Sequence, residues 1–204
     1  MWISHAERPS SDEVCRALAI ELGSKDFNAD NTPSITTLVS SCQGLIIVDR
    51  EGSIVRLIHF TLKEYLAAHT DIFSKPHSVM AEICLIYLNS QHVRALSANS
   101  WGNPFLKYCS LYWGVHAKRE LSNRARSLAL QLLGEYDGHI SRSLLLQEIW
   151  YLPLKELDEY SLFSGLHCAS LFGIVEAVAA LIEAGCYDIN QEDDLVNTPL
   201  GWAS

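Results

Sequence analysis

The sequence predicts a mainly α chain with one small β-hairpin, a helical spacer and a final set of short antiparallel helices. Three observations predict it. Two β-branched runs flank turn residues, in Gly44–Val48 and Ile54–Ile58 around Asp49–Gly52. Apolar residues recur at helical spacing, with cap signals, through most of the remainder. The last forty residues repeat a helix-turn pattern, with Leu166 and Leu200 separated by 34 positions.

The hairpin and the helix behind it organise the chain. Asp49 suits the start of a four-residue turn, and Gly52 can take the positive φ at its end. Beyond the second strand the period changes from two to 3.6. Thr61 with Glu64 three positions later has the spacing of a capping box, and Phe60 with Tyr65 the spacing of a hydrophobic staple. Leu62, Tyr65 and Leu66 then share one helical face.

Upstream, Ser10 and Glu13 have capping-box spacing, Val14, Ala17, Leu18 and Leu22 form an apolar stripe, and Gly23 is a stop. Lys25–Asn31 is expected as polar loop. Thr32–Pro33 reads as a cap with proline at the first helical position, ahead of Ile35, Leu38, Val39 and Cys42. Gly44 ends that second helix.

Helix, helix, hairpin, helix within about 75 residues is the order of a winged-helix module, expected over residues 1–75. The second helix is often the DNA reader in such folds. Here Pro33–Cys42 holds no Lys or Arg, and residues 1–75 carry seven basic and ten acidic side chains. Without cations that helix lacks the phosphate attraction that supplies most DNA affinity.

A helical spacer is expected over residues 76–160. Pro76–Ser90 is apolar on nearly all sides, as in a helix buried between others. Gln91–Gly102 is expected as loop. Asn103–Pro104 starts a helix with a wide aromatic face of Phe105, Tyr108, Cys109, Tyr112 and Trp113, which reads first as core. Ser122 caps a helix carrying Ala125, Leu128, Ala129, Leu132 and Leu133, stopped by Gly134. Ser141–Trp150 is a further apolar helix, and Leu152–Tyr160 an acidic connector.

Composition narrows the function classes. The chain has 204 residues, 49% apolar and 19% charged, with a formal charge of −9. That is apolar enough for a core and too acidic to favour nucleic acid or an anionic membrane. No run of apolar residues is long enough to span a bilayer, and Met1–Ser10 has no signal-peptide core. No two of the six cysteines are closer than 18 residues, and no CxxC occurs. Free thiols in apolar surroundings point to a reducing compartment, hence the cytoplasm. No P-loop, GxGxxG, HExxH or GxSxG is present, and no histidine pairs with another metal-ligating residue at a recognised spacing. No cofactor, metal or catalytic residue is expected.

Gly165-Leu166-His167-Cys168-Ala169-Ser170-Leu171-Phe172-Gly173 and the helix to Gly185 resemble an ankyrin repeat over 161–204. Asp188-Ile189-Asn190 would be the extended finger, Asp193 or Asp194 continues the match, and Thr198-Pro199-Leu200 would be the opening of a second, truncated repeat. The 34-residue interval lies close to the ankyrin period of about 33. Ala169 gives a small inner face, and Gly173 and Gly185 end the two helices. Val175, Val178, Leu181 and Ile182 are expected to be buried, and His167 to hydrogen-bond neighbouring turns. Ser164–Gly165 stands where Thr-Pro is usual. One repeat and a fragment bury too little alone, so the preceding helices are expected to act as a cap within a longer natural array.

The run Val55-Arg56-Leu57-Ile58-His59-Phe60-Thr61-Leu62-Lys63-Glu64-Tyr65-Leu66 resembles the end of the winged-helix module that follows the NTPase in fungal NACHT–ankyrin proteins of the NOD-like class. Trp2–Pro9, Asp30–Ile35 and Phe105–Ala117 resemble the same family, whose winged helix carries a label borrowed from GPI inositol-deacylase. The resemblance implies a non-catalytic regulatory and protein-interaction part of a switch NTPase. It implies protein partners on the ankyrin surface, an NTPase upstream in relatives, and no nucleic acid or membrane. In related switches a histidine after the wing approaches the nucleotide; His59 matches that position, although Phe60 stands where the plant-type motif has Asp. The other readings are a winged-helix nucleic-acid-binding or transcriptional adaptor, and an enzyme site assembled from His92, His116 and His139.

Overall fold

The computed structural model describes residues 9–49, 53–69, 72, 74–96, 103–150 and 162–203. The expected lead-in Trp2–Pro9 lies almost wholly outside them, as do most of the hairpin turn and the whole Leu152–Tyr160 connector.

Helix α1 (Ser11–Leu18) begins at the expected capping box. Ser10 Oγ accepts from Glu13 N (3.2 Å), and Glu13 Oε2 accepts from Ser10 N (2.6 Å). The buried side differs from the expected stripe. Cys15, Ala19 and Ile20 are buried, while Leu18 and Leu22 are about half exposed. An eight-residue helix allows more than one 3.6-period face, and packing on the spacer selects the one centred on Cys15. Helix α2 (Ile35–Ser41) is capped by Ser34, whose Oγ accepts from Thr37 N (3.1 Å), not by Thr32. Thr32 is extended, as the residue before a proline prefers to be.

Strands β1 (Ile46–Val48) and β2 (Val55–Leu57) pair antiparallel, with Ile47 opposite Arg56. Asp49 N donates to Ile54 O (2.9 Å), which extends the ladder one pair beyond Val48 and Val55. The segment before α1 adds a third partner. Val55 N donates to Pro9 O (2.9 Å) and Ser11 N to Ser53 O (2.6 Å).

Helix α3 (Phe60–Ala68) corrects two expectations. Its cap is His59, not Thr61: His59 Nδ1 accepts from Thr61 N (3.3 Å) and lies 2.9 Å from Thr61 Oγ1. Phe60 is thus the first helical residue, and Thr61–Glu64 no longer spans cap to third position. Phe60 and Tyr65 do not staple; they are 68% and 53% exposed.

The middle of the molecule is a helical core. Helix α4 (Pro76–Asn89) buries Ala81 and an unbroken run from Cys84 to Asn89. Gln91–Gly102, expected as loop, begins instead with a short helix, α5 (Gln91–Arg94), capped by Ser90. Helix α6 (Pro104–Arg119) starts at Asn103, whose Oδ1 accepts from Phe105 N and Leu106 N. Phe105, Cys109 and Trp113 are buried and Tyr108 and Tyr112 half-buried, so the aromatic face is core. Helices α7 (Asn123–Gly134) and α8 (Ile140–Trp150) complete the layer: α4 packs on α6 and α7, and α6 on α8 and α1.

The expected polar loop after α1 is an anchor. Phe27 is 8% exposed and meets the rings of Tyr87 and His92 at 5.1 and 5.5 Å. Around it, Glu82 accepts from Gly23 N (3.1 Å) and pairs with Arg124 (2.9 Å), Arg124 donates to Ser24 O (2.6 Å), and Asp26 accepts from Gln91 N (3.1 Å).

Helices α9 (Gly165–Phe172) and α10 (Val175–Glu183) form the final pair and lean on α7. Gly173 and Gly185 close them at φ +65° and +68°, where L side chains are strained. Gly165 sits so close to the Leu133 carbonyl at the end of α7 that a Cβ would collide with it. Trp113 of α6 meets Phe172 edge-on at 5.3 Å. A single turn, α11 (Pro199–Trp202), returns against α9.

Candidate interaction surfaces

The last helix pair is built around two polar side chains. His167 is fully buried. Its Nδ1 accepts from Ser164 N (3.1 Å) and lies 2.8 Å from Ser164 Oγ, so the ring proton lies on Nε2, which donates to Gln191 O (3.0 Å). One imidazole thus ties the start of α9 to the loop 24 residues later. Asp193 does the same for the next turn. It is 4% exposed; Oδ1 accepts from Leu195 N and Asn197 N (both 2.9 Å), and Oδ2 accepts from Trp202 Nε1 (2.7 Å). Asp194 instead accepts from Leu162 N (3.1 Å). Thr198 caps α11 at Gly201 N (3.3 Å), 34 positions after the cap residue of α9, Ser164.

Three placements depart from expectation. The segment Asp188–Asn190 is not extended: it is a turn in which Asp188 Oδ1 accepts from Asn190 N (2.9 Å). Leu166 and Ala169 are buried, but their successor Leu200 is 79% exposed. Leu181 is buried, whereas Val175 and Ile182 are 73% and 47% exposed. Helix α10 is apolar on two sides, and only one side meets α7 and α9. The other side, with α9, Ile189 and α11, walls an apolar groove of about 240 Å3.

The front module also presents apolar side chains. No residue of β1, β2 or α3 is buried; Ile47, Leu57, Ile58, Phe60 and Tyr65 are exposed. Tyr65 stacks on His69 with ring centres 4.0 Å apart. His59 spends its Nδ1 on the α3 cap.

Among the described residues, His92, His116 and His139 each have a different partner. His92 packs on Phe27, His139 caps α8 by accepting from Ser141 N (3.2 Å), and His116 pairs with His77. The His116 pair is the most polarised. Arg119 can only donate, and it lies 3.2 Å from His77 Nε2. His77 therefore carries its proton on Nδ1 and donates to His116 Nδ1 (2.9 Å), and His116 Nε2 donates to Tyr108 Oη (2.9 Å). Burial, then His77 and Arg119, lower His116 to about 4. Burial raises Tyr108 and lowers His77. The chain joins α4 to α6. Burial raises the Cys168 thiol to about 12 and pushes Cys109 well up, as in inert core thiols. A hollow of about 380 Å3 beside α5 and α8 is lined by charged groups, with Arg94 paired to Glu135 at 2.6 Å. Among the described residues no three His, Cys, Asp or Glu gather as a metal site, and no helix is long and apolar enough to cross a membrane.

Sequence reasoning left Asp193 and Asp194 as alternatives in the ankyrin match without a bonding role, and missed Phe27, the cap role of His59 and the His77–His116 pair. An Asp followed at two and four positions by loop residues is an Asx-turn signal, and His-x-Thr or His-x-Ser before an apolar helix marks both histidine caps. The histidine pair spans 39 positions and leaves no local trace.

Residues 1–76 match the family model described as GPI inositol-deacylase, winged helix domain. The helix, helix, hairpin, helix order of the structure agrees with that match. No curated protein and no solved structure matches the chain.

Proposed function

We propose that this chain is a non-catalytic regulatory and protein-interaction module of a NACHT-type signalling NTPase, with a winged helix in front and ankyrin-type helix pairs behind. The observation that carries it is the contrast between a closed helical middle and apolar faces left open on α3 with the hairpin and on α10 with α11. Open faces of that kind mark sites where another protein packs. The winged-helix match over 1–76 supports the front half. The 34-residue interval between capped helix starts, with His167 bridging successive turns, supports the ankyrin reading of the rear. The resemblance to fungal NOD-like proteins supplies an NTPase partner for the front face and His59 as a nucleotide-facing residue when that NTPase is present, and the free thiols favour a cytoplasmic setting.

The test places a photoreactive side chain at Phe60 or at Leu200 in the full chain and exposes cells to light. Protein adducts at both positions are expected. Adducts with nucleic acid, or specific capture of duplex DNA in a gel shift, would sink the reading. Calorimetry of the chain alone with ATP or GTP is expected to show no heat of binding.

A further inference from the structure

We infer that the contact between the first turn of α4 and the last turn of α6 is an acid-operated latch, closed near neutral pH and opened when its histidine pair takes up a proton. The latch is independent of the open apolar faces and of what covers them.

The latch holds the joint where the chain passes from α3 into α4. Lys75, the residue before α4, sits at φ +54°, in the left-handed region that side chains with a Cβ seldom enter, and makes no side-chain cap. Pro76 follows at the first helical position. The first turn of α4 is bonded from outside the helix instead. Glu120 Oε2, 42 positions along the chain, accepts from Ser78 N (3.2 Å). His77 donates to His116 (2.9 Å), and Arg119 donates to His77 Nε2 (3.2 Å). Three residues at the end of α6 thus grip two at the start of α4.

The placement of protons makes this grip sensitive to acid. With Arg119 donating, His77 Nε2 accepts and the His77 ring proton is on Nδ1; His116 Nδ1 accepts from it, and His116 Nε2 donates to Tyr108 Oη. Every ring nitrogen of the pair is engaged. Neither bare nitrogen can take a proton without becoming a donor that faces another donor. At His77 Nε2 the new proton meets the Arg119 guanidinium; at His116 Nδ1 it meets the His77 N–H. Either way a bond of the latch breaks, and a second cation lies beside Arg119. The surroundings do not reverse this. Burial and then Arg119 disfavour the charged form of His77, and Glu120, which acts the other way, is the smallest of the three influences. His116 faces His77 and Arg119, both of the same sign. Tyr108 beyond it faces Cys84 of α4, Cys109 and Tyr112 of α6 and Glu13 of α1, and burial raises it, so it stays a neutral phenol.

NMR on the full chain tests the latch in two ways. Ring-nitrogen shifts at pH 7.0 are expected to place the His77 proton on Nδ1 and the His116 proton on Nε2; the reverse pair of tautomers overturns the inference. Amide exchange, corrected for the intrinsic rate at each pH, is then compared at pH 7.0 and 5.0. Ser78 and Val79 are expected to exchange about tenfold faster at the lower pH, the effect of a histidine moved from 6.5 to about 4 and reduced for its partial exposure. Their rates should not respond to low urea, because a local opening exposes little surface. A urea-sensitive rate shared with Leu85 and Ile86 means that acid only unfolds the whole molecule, and it overturns the latch. So does the absence of any acceleration. Arg119→Gln removes the cation that faces His77 Nε2. It is expected to raise the pH at which His77 titrates and to shrink the acceleration; an unchanged titration counts against the latch. His77→Gln with His116→Gln keeps a donor and an acceptor on each side and removes the titration, so the acceleration should vanish; its persistence would assign the effect to other groups. Should that double variant not fold, the tautomers and Arg119→Gln still decide.

Discussion

His167 shows how much one side chain can decide. It satisfies the buried Ser164 N on one side and the half-buried Gln191 O on the other. His167→Ala strands both groups at once, and an unpaired buried polar group costs about 1–3 kcal/mol. Urea unfolding is expected to show a loss of roughly 3 kcal/mol. His167→Gln keeps one donor and should lose about half of that. The His116 chain makes a second residue-level prediction. His116 sits at about 4 in the folded protein against an ordinary 6.5. Between those values the unfolded chain binds a proton that the native one does not, so stability is full above pH 6.5 and falls as pH drops toward 4. Allowing for solvent screening of a half-buried ring, the loss is about 2 kcal/mol. His77 and His139 are lowered as well and add with the same sign. Urea midpoints at pH 7.0 and 4.5 should show the loss, and His116→Gln should shrink it.

At the level of elements, what was legible in the sequence is what is settled within a turn or two. Ser10 with Glu13, Asn103 and Ser122 cap their helices as their spacing says, and the last six residues of α4, Cys84–Asn89, are buried on all sides while its first half is only partly covered. The failure at α3 is equally local. Thr61–Glu64 has valid capping spacing, but so does His59–Thr61, and the imidazole holds both the amide and the hydroxyl of Thr61. Spacing alone does not choose between overlapping registers. The same three-residue device starts α8, where His139 Nδ1 takes Ser141 N and Nε2 donates to the Leu88 carbonyl. The two registers are separable by mutation. His59→Ala should cost about 1 kcal/mol, a normal cap loss, whereas Glu64→Ala should stay within about 0.5 kcal/mol, as at other exposed positions. Thermal melts of the two variants decide it; equal losses would restore the Thr61 cap. The groove was illegible for a different reason: Val175 and Ile182 read as core because periodicity counts apolar faces and cannot say which face finds a neighbour.

Across the whole molecule, the winged-helix front is held to the helical middle by little surface. No residue of its hairpin or of α3 is fully buried, so the attachment rests mainly on α1 and on the loop after it. Phe27 is the apolar part of that attachment, edge-on to Tyr87 and His92, and Asp26, Ser24 and Gly23 supply hydrogen bonds to α4, α5 and α7. The polar bonds are exposed and individually weak. Removing a buried phenylalanine costs about 3–5 kcal/mol. Phe27→Ala should therefore loosen the front without unfolding the middle, whose Trp113, Leu85 and Leu132 lie in the α4–α7 core. The measurement is hydrogen exchange by peptide. Residues 11–48 and 55–68 are expected to lose protection by about two orders of magnitude or more, following the lost coupling, while 81–89 and 105–117 keep theirs. Uniform loss across both regions would mean that front and middle unfold as one cooperative unit, and that the loop after α1 is part of a single core and not a detachable clasp.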